Sequence, residues 1–354
     1  MLIIFITIWG VIWISNNISN NKIREENTNV VIDFCTSEIE GAFNHYFDIL
    51  AYYNYLINDF AIIDNRYRRN FYNELTKNVI NRDTKIKALW VDFDANKLDS
   101  LDDQYKNTDY YSENGRFSLY WNKVYNRRKI EIEFKKYSED EQQLNLLKPC
   151  YEQAKTTKKP TITMDNSDES NIVFTFSLPV FDKDSNVIGV TGLEIDIKDI
   201  ISSLDNYKMK LVKTYTLLSN EGVYLYNFDT TIIGKVLSKQ HINYNNTDSI
   251  LKELPKNETV SIEVIDNKEP TTYFFIPIKV KDIYNTNTYI TLLINNTSVD
   301  TDSDRFIGQV FQYCFIFFIL LSIVIFFSLI IIEDILLNRI IASLDDEKIK
   351  KLEG

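Results

Sequence analysis

Histidine, cysteine and glycine are all scarce in this chain. Its 354 residues include 2 histidines, 3 cysteines and 9 glycines. His45 and His241 leave too little material for a histidine metal cluster or a histidine-based triad, and each reads as a surface or packing residue. Cys35, Cys150 and Cys314 make neither a close pair nor a metal-ligand spacing. No metal and no cofactor are therefore expected. Positive charge is short as well: the net charge of −11 disfavours nucleic acid as a partner, because phosphate backbones need clustered Lys and Arg. A nucleophile elbow is missing too. Catalytic residues are not expected, an extracellular hydrolase is disfavoured, and the reading is a non-enzyme.

Charge is absent altogether from Tyr313 to Ile332. Such a run spans about 30 Å as a helix, the thickness of a bilayer core, and reads as a transmembrane helix over 313–332. Leu2 to Ser15 is also apolar but shorter. No Lys or Arg precedes it and no small-residue cleavage site follows it, so it reads as a first transmembrane helix over 2–15 rather than a signal peptide. The segment 333–354 carries Ile335, Ile340, Ile341, Leu344, Ile349 and Leu352, an amphipathic pattern expected to begin a cytoplasmic helix.

Between these segments the pattern is α+β. Apolar residues recur three and four apart at Ile32, Cys35, Ile39, Ala42, Tyr46, Ile49, Tyr53, Leu56 and Phe60. That spacing predicts a long stalk helix within 27–80 with one apolar stripe. The stripe suits either a dimer seam or packing within one chain. Lys87–Phe93 reads as a strand. Asp92, Asp94, Asn96, Ser100 and Asp103 after it fall at calcium-loop positions, but Lys97 stands where the template needs Gly and Asp103 replaces the Glu. A solvated acidic loop is the expectation there.

Gly115 marks a turn, and Phe117, Tyr120 and Trp121 follow as large flat surfaces. Ile130–Phe134 alternates like a strand, Glu139–Thr157 reads as a helix, and Thr161–Thr163 leads into a loop over Met164–Ser170. Two β-rich runs over Asn171–Ile200 then flank the polar turn Asp182–Asn186, which is a hairpin signal. Pro179 predicts a bend or an edge position. Gly189 and Gly192 leave room for a close approach to the backbone. Lys198–Tyr207 starts a connecting helix. A second unit repeats the logic over 208–298. Its strands fall near Thr214–Ser219, Val223–Phe228, Ser261–Ile265, Thr271–Val280 and Tyr289–Ile294, with a helical stretch near Asp248–Leu254. No internal repeat is visible in the residues.

The order of several motifs resembles the double Cache sensor, two stacked PAS-like units found in methyl-accepting chemotaxis proteins and sensor kinases. These are Trp90-Val-Asp-Phe with the acidic stretch, Gly115-Arg-Phe-Ser-Leu-Tyr-Trp121, Lys148-Pro-Cys-Tyr-Glu-Gln-Ala-Lys and Lys159-Pro-Thr-Ile-Thr163. Ser177-Leu-Pro-Val, Ile188-Gly-Val-Thr-Gly, Ser219-Asn-Glu-Gly222 and Ile233-Gly-Lys235 complete the series. The resemblance covers Asn27 to Thr297. It implies a long N-terminal helix and two antiparallel-sheet units between two transmembrane helices. The unit over 81–207 would be membrane-distal and bind a small ligand; residues 16–310 would be extracytoplasmic, in a multi-pass protein of the cell membrane, and a homodimer is expected.

Many members of that family bind amino acids through an Arg-x-Trp-Tyr run, a Tyr-x-Asp loop and an acidic residue on the Gly-rich strand. The corresponding residues here are Lys148 with Tyr151, Asp168, and Glu194 with Asp196 as the alternative register. Lys148 lacks the planar two-point grip of Arg on a carboxylate. The expected ligand is therefore an amine or an amino acid held by its ammonium end, walled by Tyr120, Trp121 and Tyr151. The function so implied is a chemosensor, with the input region of a histidine kinase or diguanylate cyclase as the alternative.

Overall fold

The computed structural model describes residues 2–108, 111, 114–126, 129–134, 141–165, 172–205, 215–219, 221–237, 259–266, 269–281, 290–295 and 302–352. The chain divides into two compact units, Met1–Asn21 with Thr301–Gly354, and Lys22–Asp300. In the first of these, helix α5 (Asp302–Leu352) runs without a break through the apolar segment and the amphipathic one. One helix long and apolar enough to cross a membrane is found among the described residues, Ile316–Arg339, with mean hydropathy 3.0.

Helix α1 (Leu2–Asn58) is one continuous helix through both the 2–15 segment and most of the stalk. The stalk expected over 27–80 is two helices. After a short 3-10 turn at Phe60–Ile62, Asp64 caps a new helix, α2 (Asn65–Arg82), by accepting from the Arg66 N–H. An Asp at that position satisfies one of the orphan N–H groups of a helix start, so the chain restarts rather than continues. The apolar stripe of α1 lies against its own chain. Ile39 and Tyr53 are wholly buried in the core, together with Phe43, Leu50 and Ile57. The stripe therefore supplies internal packing and not a dimer seam.

Two antiparallel sheets fill the unit Lys22–Asp300. The first contains β1 (Ile86–Phe93), β2 (Ser118–Asn126), β3 (Lys129–Phe134), β4 (Thr161–Asp165), β5 (Val173–Phe181) and β6 (Val187–Asp196), in the order β3-β2-β1-β6-β5-β4. Helix α3 (Glu141–Thr157) lies between β3 and β4 in the chain, and α4 (Ile197–Asp205) follows β6. The second sheet contains β7 (Thr216–Ser219), β8 (Tyr224–Tyr226), β9 (Val260–Asp266), β10 (Glu269–Ile278) and β11 (Ile290–Asn295), in the order β8-β7-β11-β10-β9. Without β3, both sheets have the same plan: second, first, fifth, fourth, third. The repeat that the residues do not display is present in the topology. The helical stretch expected at Asp248–Leu254 lies outside the described residues.

The β5–β6 hairpin is centred on a five-residue turn, and β5 has an open edge where it was expected. Pairing with β4 stops at Ser177, so Pro179 pairs only with β6, at Val190, and its missing N–H removes no ladder bond. Helix α1 is tied to this stretch. The Asn54 amide donates to the carbonyls of Leu178 and Pro179 and to Thr191 Oγ1 at 2.8 Å. The Phe181 N–H donates to Asn58 Oδ1. Lower on α1, Glu40 and Asn44 accept from the backbone N–H groups of Lys279 and Lys281, just after β10. One helix thus backs both sheets, with a single core running along it.

The segment between β1 and β2 is not a solvated acidic loop. Arg69 of α2, 1% exposed, reaches into it. Its guanidinium donates to both carboxylate oxygens of Asp99 at 2.7 and 3.0 Å, to Asp102 Oδ1 at 2.6 Å, and to the Gly115 carbonyl at 2.8 Å. The rings of Tyr105, Tyr111 and Phe117 pack against it. Asp99 and Asp102, which are not among the calcium-template positions, here form a cradle for a planar cation, whose donor fork matches carboxylate geometry. Breaking a buried pair by removing one partner strands a charge and costs about 3–5 kcal/mol. Asp99→Asn in the full-length chain should lose that much in denaturant unfolding, and Arg69→Met should lose less than Asp99→Asn plus Asp102→Asn combined. A loss under about 1 kcal/mol, the level of an exposed pair, would show that the cluster does not hold the segment.

Candidate functional site

Strand alternation gives the first sheet two different faces. The registers put Leu89, Val91, Leu119, Trp121, Leu193, Phe174 and Phe176 on one side. These residues meet α1 and α2: Phe43 packs on Phe174 with ring centroids 5.2 Å apart. The other side carries Ala88, Trp90 and Asp92 on β1, Ser118, Tyr120 and Asn122 on β2, Gly192 and Glu194 on β6, Thr175 and Ser177 on β5, and Thr161 and Thr163 on β4. It is covered by α3 through Cys150, Tyr151 and Ala154. The face under α3 is polar and buried. Among the described residues, Trp90 Nε1, Asn122 Oδ1, Thr161 Oγ1 and Ser177 Oγ are buried there without a hydrogen-bond partner.

Such atoms cost about 1–3 kcal/mol each when left without a partner. Four on one face amount to a large part of the stability of a domain, about 5–15 kcal/mol. A face built this way is made for polar groups of a ligand or solvent to complete. Gly192 is what gives the indole its place. A Cβ there would lie 2.1 Å from the Trp90 ring, so the close approach expected at this glycine is that of Trp90.

Two polar clusters stand at opposite ends of this face. At one end the Tyr120 hydroxyl donates to Glu194 Oε2 at 3.0 Å, both residues being buried. Cys150 lies beside them against Thr163 Oγ1, and burial pushes its thiol up to about 11. At the other end, Tyr151 and Lys155, one turn apart on α3, both donate to Asp94 Oδ1, at 2.7 and 2.6 Å. Burial alone would raise the Asp94 carboxyl, but these two hydrogen bonds and the Lys155 charge hold it below its usual range. Beside it, Arg116 pairs with Asp92 at 3.2 Å. Complete burial pushes Asp92 up to about 7, opposed by Arg116 and reinforced by Asp94.

Tyr120, Tyr151 and Glu194 are therefore brought to one face. Trp121 is not. It is the neighbour of Tyr120 on a strand and points to the opposite side, where its Nε1 donates to Asn73 of α2 at 3.0 Å and Lys77 sits over its ring. Asp196, the alternative register for Glu194, pairs with Lys87 at 3.0 Å. Lys148 is placed on α3, but its side chain lies outside the described residues, as does Asp168. Sequence reading missed Asp92, Asp94, Arg116 and Lys155. The alternation Ala88–Trp90–Asp92 and the one-turn spacing of Tyr151 and Lys155 were the available signals.

Comparison with known proteins puts this geometry in context. No family model matches the chain, and no curated protein matches it by sequence. Solved structures do match. The extracellular domain of mmHK1S-Z3, assigned as a histidine kinase, is 14% identical with a TM-score of 0.57, covering 80% of this chain and 97% of that one. A structure titled methyl-accepting chemotaxis protein X is 16% identical with a TM-score of 0.53, covering 78% and 98%. The periplasmic sensory domain of the Campylobacter jejuni chemoreceptor Tlp1 is 13% identical with a TM-score of 0.50, covering 74% and 91%. By their titles these are an extracellular domain of a histidine kinase, a methyl-accepting chemotaxis protein and a periplasmic sensory domain of a chemoreceptor. The fold of residues 22–300 is that of a double Cache sensor.

Asp92 gives this face a pH signature. Burial pushes its folded pKa up to about 7 from an ordinary 3.8, so between those values the folded chain holds a proton that the unfolded chain has released. The cost of ionising buried Asp92 is absent at and below the unfolded pKa, grows as pH rises through the window, and is complete above about 7. Asp92→Asn should therefore leave stability unchanged near the lower end of the window and raise it relative to the unaltered chain at the upper end. Denaturant midpoints across that window check this. A stability difference independent of pH would show that Asp92 does not titrate in the window.

Proposed function

We propose that the chain is the sensing part of a transmembrane chemoreceptor that takes a small amine or amino acid on the face beneath α3. The observation that carries this reading is the set of buried polar atoms gathered on that face, while the opposite face of the same sheet is apolar. Arg116 and Lys155 are already engaged by Asp92 and Asp94. In this reading the ligand's charged end lies beside Glu194, whose Oε2 accepts from the Tyr120 hydroxyl, with Asp168 and Lys148 as further contacts. An ammonium beside Glu194 gains charge-assisted hydrogen bonds; the Tyr151 ring, toward the other end of the face, already carries the Lys155 ammonium at 5.3 Å. Residues 81–207 would be the membrane-distal unit and 208–298 the membrane-proximal one.

Signalling in this reading is a shift between two arrangements of the sensor unit, limited by the ligand's differential affinity for them. Helix α1 backs both sheets and continues into the 2–15 segment, so it is the element through which a shift would be carried. Membrane helices at 2–15 and 313–332 would place 16–310 outside the cytoplasm. Pairing of two chains would use the exposed side of α1, which bears Val30, Tyr52 and Tyr55, since the stripe is occupied.

Calorimetry on the full chain in lipid nanodiscs tests the ligand class, comparing a primary amine, the amino acid built on it and the deaminated acid. The amine or amino acid should bind more tightly than the acid. Glu194→Gln and Asp168→Asn should each weaken binding by about 1–3 kcal/mol, while Tyr224→Ala in the second sheet should not change it. Equal binding of the deaminated acid, unaffected by Glu194→Gln, would refute the assignment.

A further inference from the structure

The polar face under α3 has an internal order, set by the strand registers. Trp90 on β1 pairs with Gly192 on β6, Gly192 with Ser177 on β5, and Ser177 with Thr161 on β4. These residues form one row straight across the sheet. The next row, two residues along each strand, runs through Ala88, Glu194, Thr175 and Thr163. On the other side of the first row stands Asp92, two residues from Trp90 and paired with Arg116.

In the middle row three polar atoms have no protein partner. Trp90 Nε1, Ser177 Oγ and Thr161 Oγ1 belong to residues only 1%, 0% and 1% exposed. Gly192 brings them together. A Cβ there would lie 2.1 Å from Trp90 Cε2 and Cζ2 and 2.6 Å from Nε1, so the N–H edge of the indole stands over Gly192, on the strand next to Ser177. Neighbouring strands are about 4.8 Å apart. The indole N–H and the Ser177 hydroxyl thus flank one ligand position, with Thr161 one strand beyond. The indole is packed in a cluster with Cys150, Tyr151 and Ala154 of α3, which holds the ring in place.

An indole N–H can only donate, and a hydroxyl can donate or accept. The row therefore calls for an acceptor, and it contains no charged member. A carboxylate placed there would be desolvated without a cation. It would also meet Glu194 two residues along the strand, about 6.8 Å away, and like charges oppose each other. Arg116 and Lys155 are paired with Asp92 and Asp94. A neutral carbonyl oxygen meets the donors of the row without these costs.

We propose that the second group recognised on the ligand is a neutral carbonyl oxygen, held by Trp90 Nε1 and the Ser177 and Thr161 hydroxyls, so that the preferred ligand is an amino amide rather than a plain amine or a free amino acid. This rests on the reading above that the ammonium lies beside Glu194. Glu194 supplies charge, the neighbouring row supplies specificity, and a short alkyl chain joins the two groups.

Calorimetry on the full chain in lipid nanodiscs tests this with β-alaninamide, n-propylammonium and β-alanine, which share the ammonium. β-Alaninamide should bind about tenfold more tightly than either of the others, the worth of one or two net hydrogen bonds. Ser177→Ala and Thr161→Val each delete a hydroxyl with little change of shape, and each should cut the preference for amide over amine about threefold or more. In the ligand-free chain the same variants should leave the denaturant midpoint unchanged or higher, because they remove a buried polar atom that has no partner. If Thr161→Val does not fold, Ser177→Ala decides. An amide bound no better than the amine, β-alanine bound best, a preference untouched by the variants, or a lowered ligand-free midpoint overturns the proposal and leaves the amine reading standing. Failure of all three probes to bind overturns that reading as well.

Discussion

The interaction on which the unit Lys22–Asp300 depends most is the burial of the Arg69 guanidinium. A lone buried cation is prohibitively costly, and its donors must all be met. Asp99 and Asp102 meet them, together with the Gly115 carbonyl. The whole connection from β1 to β2 is thereby drawn onto α2. Gly115 sits at φ 77, and a Cβ there would collide with the Asp102 carbonyl, so only glycine closes the knot. The residue after it, Arg116, is delivered to Asp92 on the face under α3. A packing device at the edge of the sheet thus sets the charge balance inside the candidate site.

The first sheet divides its labour by its pleat. One face buries large apolar side chains against α1 and α2 and supplies stability. The other holds polar side chains under a single helix, several of them paired with one another. This is the arrangement in which a fold gives up stability locally to keep a binding surface. The second sheet follows the same strand plan without an equivalent polar face among the described residues; its buried cluster consists of Leu218, Tyr224, Leu237, Tyr273, Phe275 and Leu293.

Helix α1 turns these parts into one mechanical object. Its apolar stripe is spent on the core, and its amides at Asn54 and Asn58 hold the hairpin at the point where Pro179 leaves the ladder open. Farther down, Glu40 and Asn44 hold the second sheet. An event at either sheet meets the same helix.

Much of the fold was legible in the residues. Period-two and period-three-to-four patterns placed the β5–β6 hairpin, α3, most strands of both sheets and the apolar helix, because those signals are local and survive any packing. Tyr120, Tyr151 and Glu194 were also readable as candidates, since large rings and a carboxylate on otherwise apolar segments are conspicuous. What the pattern could not decide was partnership. The α1 stripe reads equally as a seam or a core, and only packing assigned it to the core. The carboxylates from Asp92 to Asp103 read as a solvated loop until Arg69, remote in the chain, was found among them. Trp121 and Tyr120 are adjacent in sequence, yet strand alternation sends them to opposite faces. The sequence by itself determined which segments are helix, strand and apolar span; tertiary structure alone decided which charges are paired and which face a side chain serves, because those depend on contacts between residues far apart in the chain.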